Sequence, residues 1–189
     1  MDVDYPKRKH VRLKDYDYSQ AGMYFVTICT KDRQRILSRI VTPVGPDAPI
    51  GPQVQLTEMG HVVEKYILSM NTAYQRVKVE HYVIMPNHIH LLIHLTGSGP
   101  MGASGPTVPQ VVKGLKGLTT RELGRTIWQS GYHEHIIRDD NDFLNHWTYI
   151  ETNPARWTQD EYYQEERERQ PWVTRESEQF YPLWGWLPC

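Results

Sequence analysis

Three histidines at alternate positions interrupt an otherwise apolar run, "MPNHIHLLIHL" at 85–95. Successive side chains on a β-strand point to opposite faces, so His88, His90 and His94 share one side while Leu91, Ile93 and Leu95 share the other. Imidazoles two residues apart stand about 6–7 Å from each other at the backbone and can reach one ion through bonds of ~2.1 Å. His94 lies about 13 Å along the strand from His90, too far for that ion, and faces a helix or water. His88 and His90 therefore form either a polar outer face or half of a metal site. In the second case a third ligand and a reacting group must come from elsewhere.

Both are offered by "HWTYIETNP" at 146–154. Tyr149 and Asn153 are four residues apart and stack on one helical face, with His146 one turn before them. Phe143, Trp147 and Ile150 form the neighbouring stripe, which would dock the helix on a sheet and hold Tyr149 and Asn153 over the histidine strand. The Asn153 carbonyl oxygen suits a hard cation. The alternative is a core tyrosine followed by a helix-capping asparagine. "GYHEHIIRD" at 131–139 holds a second pair, His133 and His135. These are read first as strand-surface polar residues with Glu134 facing solvent, and second as groups near a phosphate.

The elements that carry these residues are legible from periodicity and breakers. "MYFVTICT" (23–30) is aromatic and β-branched and predicts a buried strand. "TPVGPDAPIGPQ" (42–53) predicts a loop, and "LTEMGHVVEKYILSMNTA" (56–73) a helix capped by Thr57, with Val62, Val63, Tyr66, Ile67 and Met70 on one face. Strands follow at 77–85 and 88–95, broken at Pro86-Asn87. A Gly/Ser/Pro-rich loop spans 96–109. A helix over 110–124 turns Val111, Leu115 and Leu118 inward, with Gly114 and Gly117 counting against it. A strand lies around 132–138. The last helix, 139–154, is opened by Asp139, Asp140 or Asn141, favoured by Asp142 at its positive end and stopped by Pro154. This succession predicts an α+β fold: one ferredoxin-like antiparallel sheet with the helices packed on one face.

A chain of 189 residues with net charge −1 fits one domain, here 1–157 with a basic N-terminal arm, and a charged, Trp-rich extension, 158–189. Trp172, Trp184 and Trp186 of that extension are expected to fold back on the same domain. No run approaches the ~18 apolar residues of a membrane span, and the start lacks the apolar stretch of a secretory signal. Cys29 and Cys189 lie far apart, so no structural disulfide is expected and a cytoplasmic location is. Basic clusters occur at 7–14 and 113–125, and a mixed, acid-rich one at 160–169; alone, such clusters are usually solvated faces.

"NHIHLL" followed by "YIETNP" resembles the REP-associated tyrosine transposases, a branch of the single-tyrosine HUH transposases, in which two histidines flank a bulky apolar residue: here His88, Ile89 and His90. "DYSQAGMYFVTICT", "HYVIMPNHIHLL" and "IWQSGYHEHIIRD" extend the likeness over most of the chain, in order. The resemblance implies an HUH endonuclease type of fold, His88 and His90 as metal ligands, Asn153 as a third ligand and Tyr149 as nucleophile. It implies single-stranded DNA bearing small hairpins as partner, and a reaction that leaves a 5′-phosphotyrosine link and a free 3′-OH. Two imidazoles and an amide oxygen suit Mg²⁺ or Mn²⁺ better than zinc, which favours closed four-ligand sites. Lys7, Arg8, Lys9 and Arg12 suit phosphate contacts to a hairpin, and Lys113, Lys116 and Arg121 would hold the single strand. Monomer and homodimer both stay open. The rivals are a water-using metal nuclease, a hairpin-binding protein that no longer cuts, and a structural metal-binding domain.

Overall fold

A computed structural model describes residues 20–43, 51–97 and 106–163. Lys7, Arg8, Lys9, Arg12, the three tail tryptophans and Cys189 lie outside them. The described chain runs β1 (Gly22–Cys29), β2 (Ser38–Val41), β3 (Gln53–Leu56), α1 (Glu58–Ala73), β4 (Val77–Ile84), β5 (His88–Leu95), α2 (Val108–Leu123), β6 (His133–Ile136) and α3 (Asp140–Thr152), followed by a 3-10 helix, Pro154–Gln159. Four strands form an antiparallel sheet in the order β4-β5-β1-β6. With α1 and α2 as crossovers this is the βαββαβ succession of ferredoxin-like folds. No helix among the described residues is long and apolar enough to cross a membrane.

Local chemistry sets the ends of the elements. Thr57 accepts a hydrogen bond from the Gly60 amide at the start of α1, and Asp139 does the same for Asp142 at the start of α3. Thr107 and Gln110 exchange bonds in a capping box on α2, with Pro109 in the first turn and Gly124 in the left-handed region at its end, the usual start and stop chemistry of a helix. Gly114 lies inside the unbroken α2, where a Cβ would come within 2.5 Å of the Tyr74 hydroxyl. Its absence lets the two elements approach.

The register alternates cleanly. In β1 and β5, Thr27 stands opposite His90, Cys29 opposite His88 and Phe25 opposite Leu92. Tyr24, Val26, Ile28, Ile89, Leu91, Ile93 and Leu95 point the other way and pack with Val63, Ile67 and Met70 of α1 and Val111, Val112 and Leu115 of α2. A second, smaller cluster lies on the opposite face. There Ile150, Phe143 and Trp147 of α3 meet Val83, Met85, Leu92, Met23 and Phe25, with Ile40 and Val54 of the β2-β3 hairpin.

Two corrections to the sequence-based picture follow. Helices do not all share one face: α1 and α2 do, but α3 lies on the other, because its apolar stripe complements the partly polar side of the sheet. The expected loop over 42–53 is followed at once by an unexpected strand, β3, which begins at Gln53 and pairs with β2 as Ser38↔Leu56 through Val41↔Gln53. Four-residue strands are too short to show a period.

Candidate active site

His88 and His90 are 0% and 1% exposed, on the sheet face that α3 covers. Their Nε2 atoms lie 2.9 Å apart. His88 Nδ1 lies 2.8 Å from Asn87 Oδ1, and the orientation of that amide is set by its Nδ2 donating to the Tyr162 carbonyl at 2.8 Å. Nδ1 of His88 is therefore the protonated nitrogen, and its Nε2 carries a lone pair. His90 Nδ1 is 2.8 Å from Thr27 Oγ1, contributed by the opposite strand. With its proton on Nδ1, where Thr27 accepts it, His90 also presents a lone pair. Burial lowers the pKa of His88 to about 4, Arg33 adding to the effect and Asp160 opposing it; burial also holds His90 well below the ordinary value. Both are neutral at pH 7, the form in which imidazole binds a metal.

α3 brings Tyr149 to the same place. Its ring centroid lies 5.1 Å from that of His90 and 6.0 Å from that of Phe25, both edge-on. The hydroxyl donates to Asp160 Oδ2 at 3.2 Å. Asn153, 2% exposed, donates through Nδ2 to the same Oδ2 at 2.9 Å. Its Oδ1 is buried and has no hydrogen-bond partner among the described residues, and such an orphan typically costs about 1–3 kcal/mol. Burial first, and then the Asp160 carboxylate, push the Tyr149 phenol above the ordinary tyrosine range, so it is protonated at pH 7. These side chains, with Thr27, His146, Arg156 and Glu161, line a cavity of about 490 Å³.

The donor set fits a divalent cation. Two nitrogens bound at ~2.1 Å to one ion at right angles stand about 3 Å apart, the separation seen. His88, His90 and Asp160 offer ligand atoms all within 4.8 Å of one another, and the Asn153 oxygen is the buried acceptor that a cation would satisfy. Neutral imidazoles with oxygen donors favour a hard or borderline ion. Their other nitrogens are already anchored by Asn87 and Thr27, as metal-ligating histidines are.

His88, His90, Tyr149 and Asn153 thus come together as the sequence predicts. His94 does not join them; its Nδ1 pairs with Glu80 on β4 at 3.4 Å. Lys113, Lys116 and Arg121 lie on α2, behind the sheet, and line no part of this cavity. Lys116 donates to the carbonyls of Gln129 and Gly131 at 2.8 and 2.7 Å, a structural tie. Glu134, expected to face solvent, has both carboxylate oxygens buried. Asp160 and Tyr162 were not anticipated. They fall beyond residue 157, so the stretch assigned to the extension helps build the site. Nothing in "DEYY" separates a half-buried, site-forming acid from the charged residues that follow. Asn87 was more accessible, as a polar residue beside the histidine pair in an apolar run.

No protein-family model matches the chain. It is 30% identical to an uncharacterized protein of Haemophilus influenzae over 82% of this chain and 93% of that one. It is 29% identical to a second protein of that organism, described as a "Putative REP-associated tyrosine transposase", over 74% of each. A solved structure of a REP-associated tyrosine transposase bound to a REP hairpin superposes with a TM-score of 0.56 at 20% identity, covering 77% of this chain and 74% of that one. That structural likeness carries the fold, and the sequence relatives carry the descent. In sequence and in fold the chain is similar to the REP-associated tyrosine transposases.

Proposed function

We propose that this protein nicks and rejoins single-stranded DNA through Tyr149, at strands carrying hairpin-forming repeats. The single observation that supports this most is Tyr149 lining one cavity with the buried, neutral imidazole of His90, whose Nε2 faces that of His88 at 2.9 Å. A phosphodiester resists attack because its oxygens are negative and its leaving alkoxide is poor. His88, His90 and Asn153 would hold Mg²⁺ or Mn²⁺. When bound, that ion supplies charge neutralisation at the phosphate and at the developing oxyanion.

The chain's own groups do the rest. Asp160 orients the phenol and accepts its proton as Tyr149 attacks phosphorus. The strand's 5′ phosphate becomes joined to Tyr149, and the other end leaves as a 3′-OH. Covalent attachment conserves the bond's free energy, so a later 3′-OH can displace the tyrosine and rejoin DNA. Arg156, on the cavity wall, offers a phosphate contact. Lys7, Arg8, Lys9 and Arg12 are kept as hairpin contacts, while Lys113 and Arg121 add general attraction from the far face.

The test uses labelled single strands bearing hairpins, incubated with protein and Mn²⁺ and run under denaturing conditions. A protein–DNA species should form with the native chain and vanish with Tyr149→Phe and with His88→Ala. Cleavage without attached protein would mark a water-using nuclease. Hairpin binding with no metal-dependent cleavage would mark a binding protein. Adduct formation by the Tyr149→Phe variant would remove Tyr149 as nucleophile.

A further inference from the structure

A second constellation borders the same cavity. Asp142, in the first turn of α3, receives His135 Nε2 at 2.9 and 3.1 Å and the Arg138 amide at 3.0 Å. His146 Nδ1 lies 3.1 Å from Asp142 Oδ1 and 2.8 Å from the Asp142 backbone carbonyl. Both neighbours of that nitrogen are acceptors, so Nδ1 carries the proton and, in the neutral ring, the lone pair sits on Nε2. Nε2 makes no hydrogen bond among the described residues. The ring is clamped between His135, stacked at 4.7 Å, and Phe25 at 4.6 Å, and it lines the cavity with Tyr149, one helical turn away. This is the arrangement of a proton-transfer histidine: a carboxylate beside Nδ1 fixes the tautomer, and the ring lines the cavity that holds the reacting phenol. His135, Asp142 and His146 also offer three ligand atoms within 4.8 Å of one another, but the Asp142 backbone carbonyl 2.8 Å from His146 Nδ1 favours a proton on that nitrogen.

Displacement at phosphorus puts the attacking and leaving oxygens roughly in line, on opposite sides. The attacking phenol already directs its proton to Asp160. The leaving 3′ oxygen needs a donor of its own, and of the two imidazoles lining the cavity His146 is the one whose Nε2 is not turned to a neighbouring ring. We propose that His146 is the acid–base catalyst of the 3′ oxygen, an assignment that rests on the strand-transfer reading above. In cleavage the Tyr149 Oη–P bond forms and the P–O3′ bond breaks. The electron pair of that bond goes to O3′, which takes the Nε2 proton of His146, while the phenolic proton passes to Asp160. In rejoining, neutral Nε2 takes the proton of the incoming 3′-OH as O3′ attacks and the Oη–P bond breaks, with Oη recovering its proton from Asp160. Asp142 stays ionised throughout.

The experiment compares two labelled strands identical except at the scissile phosphate, mapped from the native adduct: one has the natural 3′ oxygen, the other a bridging 3′ sulfur. A thiolate leaves without being protonated. On the oxygen strand, His146→Ala should lower the rate of adduct formation about 10²–10⁴-fold. On the sulfur strand it should stay within about tenfold of the native chain. His146→Gln, which keeps a polar group of similar reach, should show the same split, and Asp142→Asn a milder one. Equal losses on both strands, or no loss on the oxygen strand, would overturn this assignment alone. No adduct from the native chain on either strand would overturn the Tyr149 reading, and this assignment with it.

Discussion

Along β5 the residues that point toward α1 and α2 are Ile89, Leu91, Ile93 and Leu95, none more than 2% exposed, whereas those pointing toward α3 are His88, His90, Leu92 and His94. The same strand thus builds an aliphatic wall on one side and a chemical surface on the other. On the first side stability comes from close packing under two helices. On the second, packing is thinner, and each buried imidazole is kept in place by one directed bond, to Thr27 or to Asn87. The difference teaches where the site gets its precision. Histidines that must stay neutral and point inward are mounted on a strand whose reverse face cannot move.

Breaking the aliphatic side should have the largest effect on stability. Leu91→Ala should cost about 2–5 kcal/mol in urea unfolding, whereas His90→Ala should cost less while abolishing the adduct. An equal stability loss for both would mean that the histidine face is as structural as the other. Acid probes the same contrast from the polar side. The folded pKa of His88 lies near 4 and that of an unfolded histidine near ~6.5, so in between the unfolded chain binds the proton and the folded one does not. Stability of the metal-free protein should therefore fall as pH drops from about 6.5 to about 4, by up to about 1.4 kcal/mol per pH unit for each such histidine. A flat profile would show that the pair is not buried neutral. The smallest effect belongs behind the sheet. Lys113→Ala and Arg121→Ala should each reduce the salt slope of DNA binding by at most about 1 and leave adduct yield nearly unchanged; a collapse of yield would bring α2 into the active surface.

Much of this contrast was legible in the chain, and what was missed has a physical pattern. Period-two alternation at 88–95 and the Phe143/Trp147/Ile150 stripe are local signals, and each reports one element's own faces. Thr57, Asp139 and Pro154 mark helix ends for equally local reasons. The stripe put α3 over the histidine strand as expected, but whether α1 and α2 share that face is a question of how separate elements meet, and the expectation of a single helical layer failed there. Asp160 lies 11 residues beyond Tyr149, past a 3-10 helix that turns the chain back toward the site. No periodic pattern runs across such a turn. The β2-β3 hairpin escaped notice because paired strands of four residues are held by a partner rather than by their own composition.

Tyr149 reaches the imidazoles of its own chain, 5.1 Å from His90 ring to ring. If Tyr149 serves the histidine pair of its own chain, turnover per molecule should not change on dilution. A copy damaged in α3 and a copy damaged in β5 would then be unable to rescue one another.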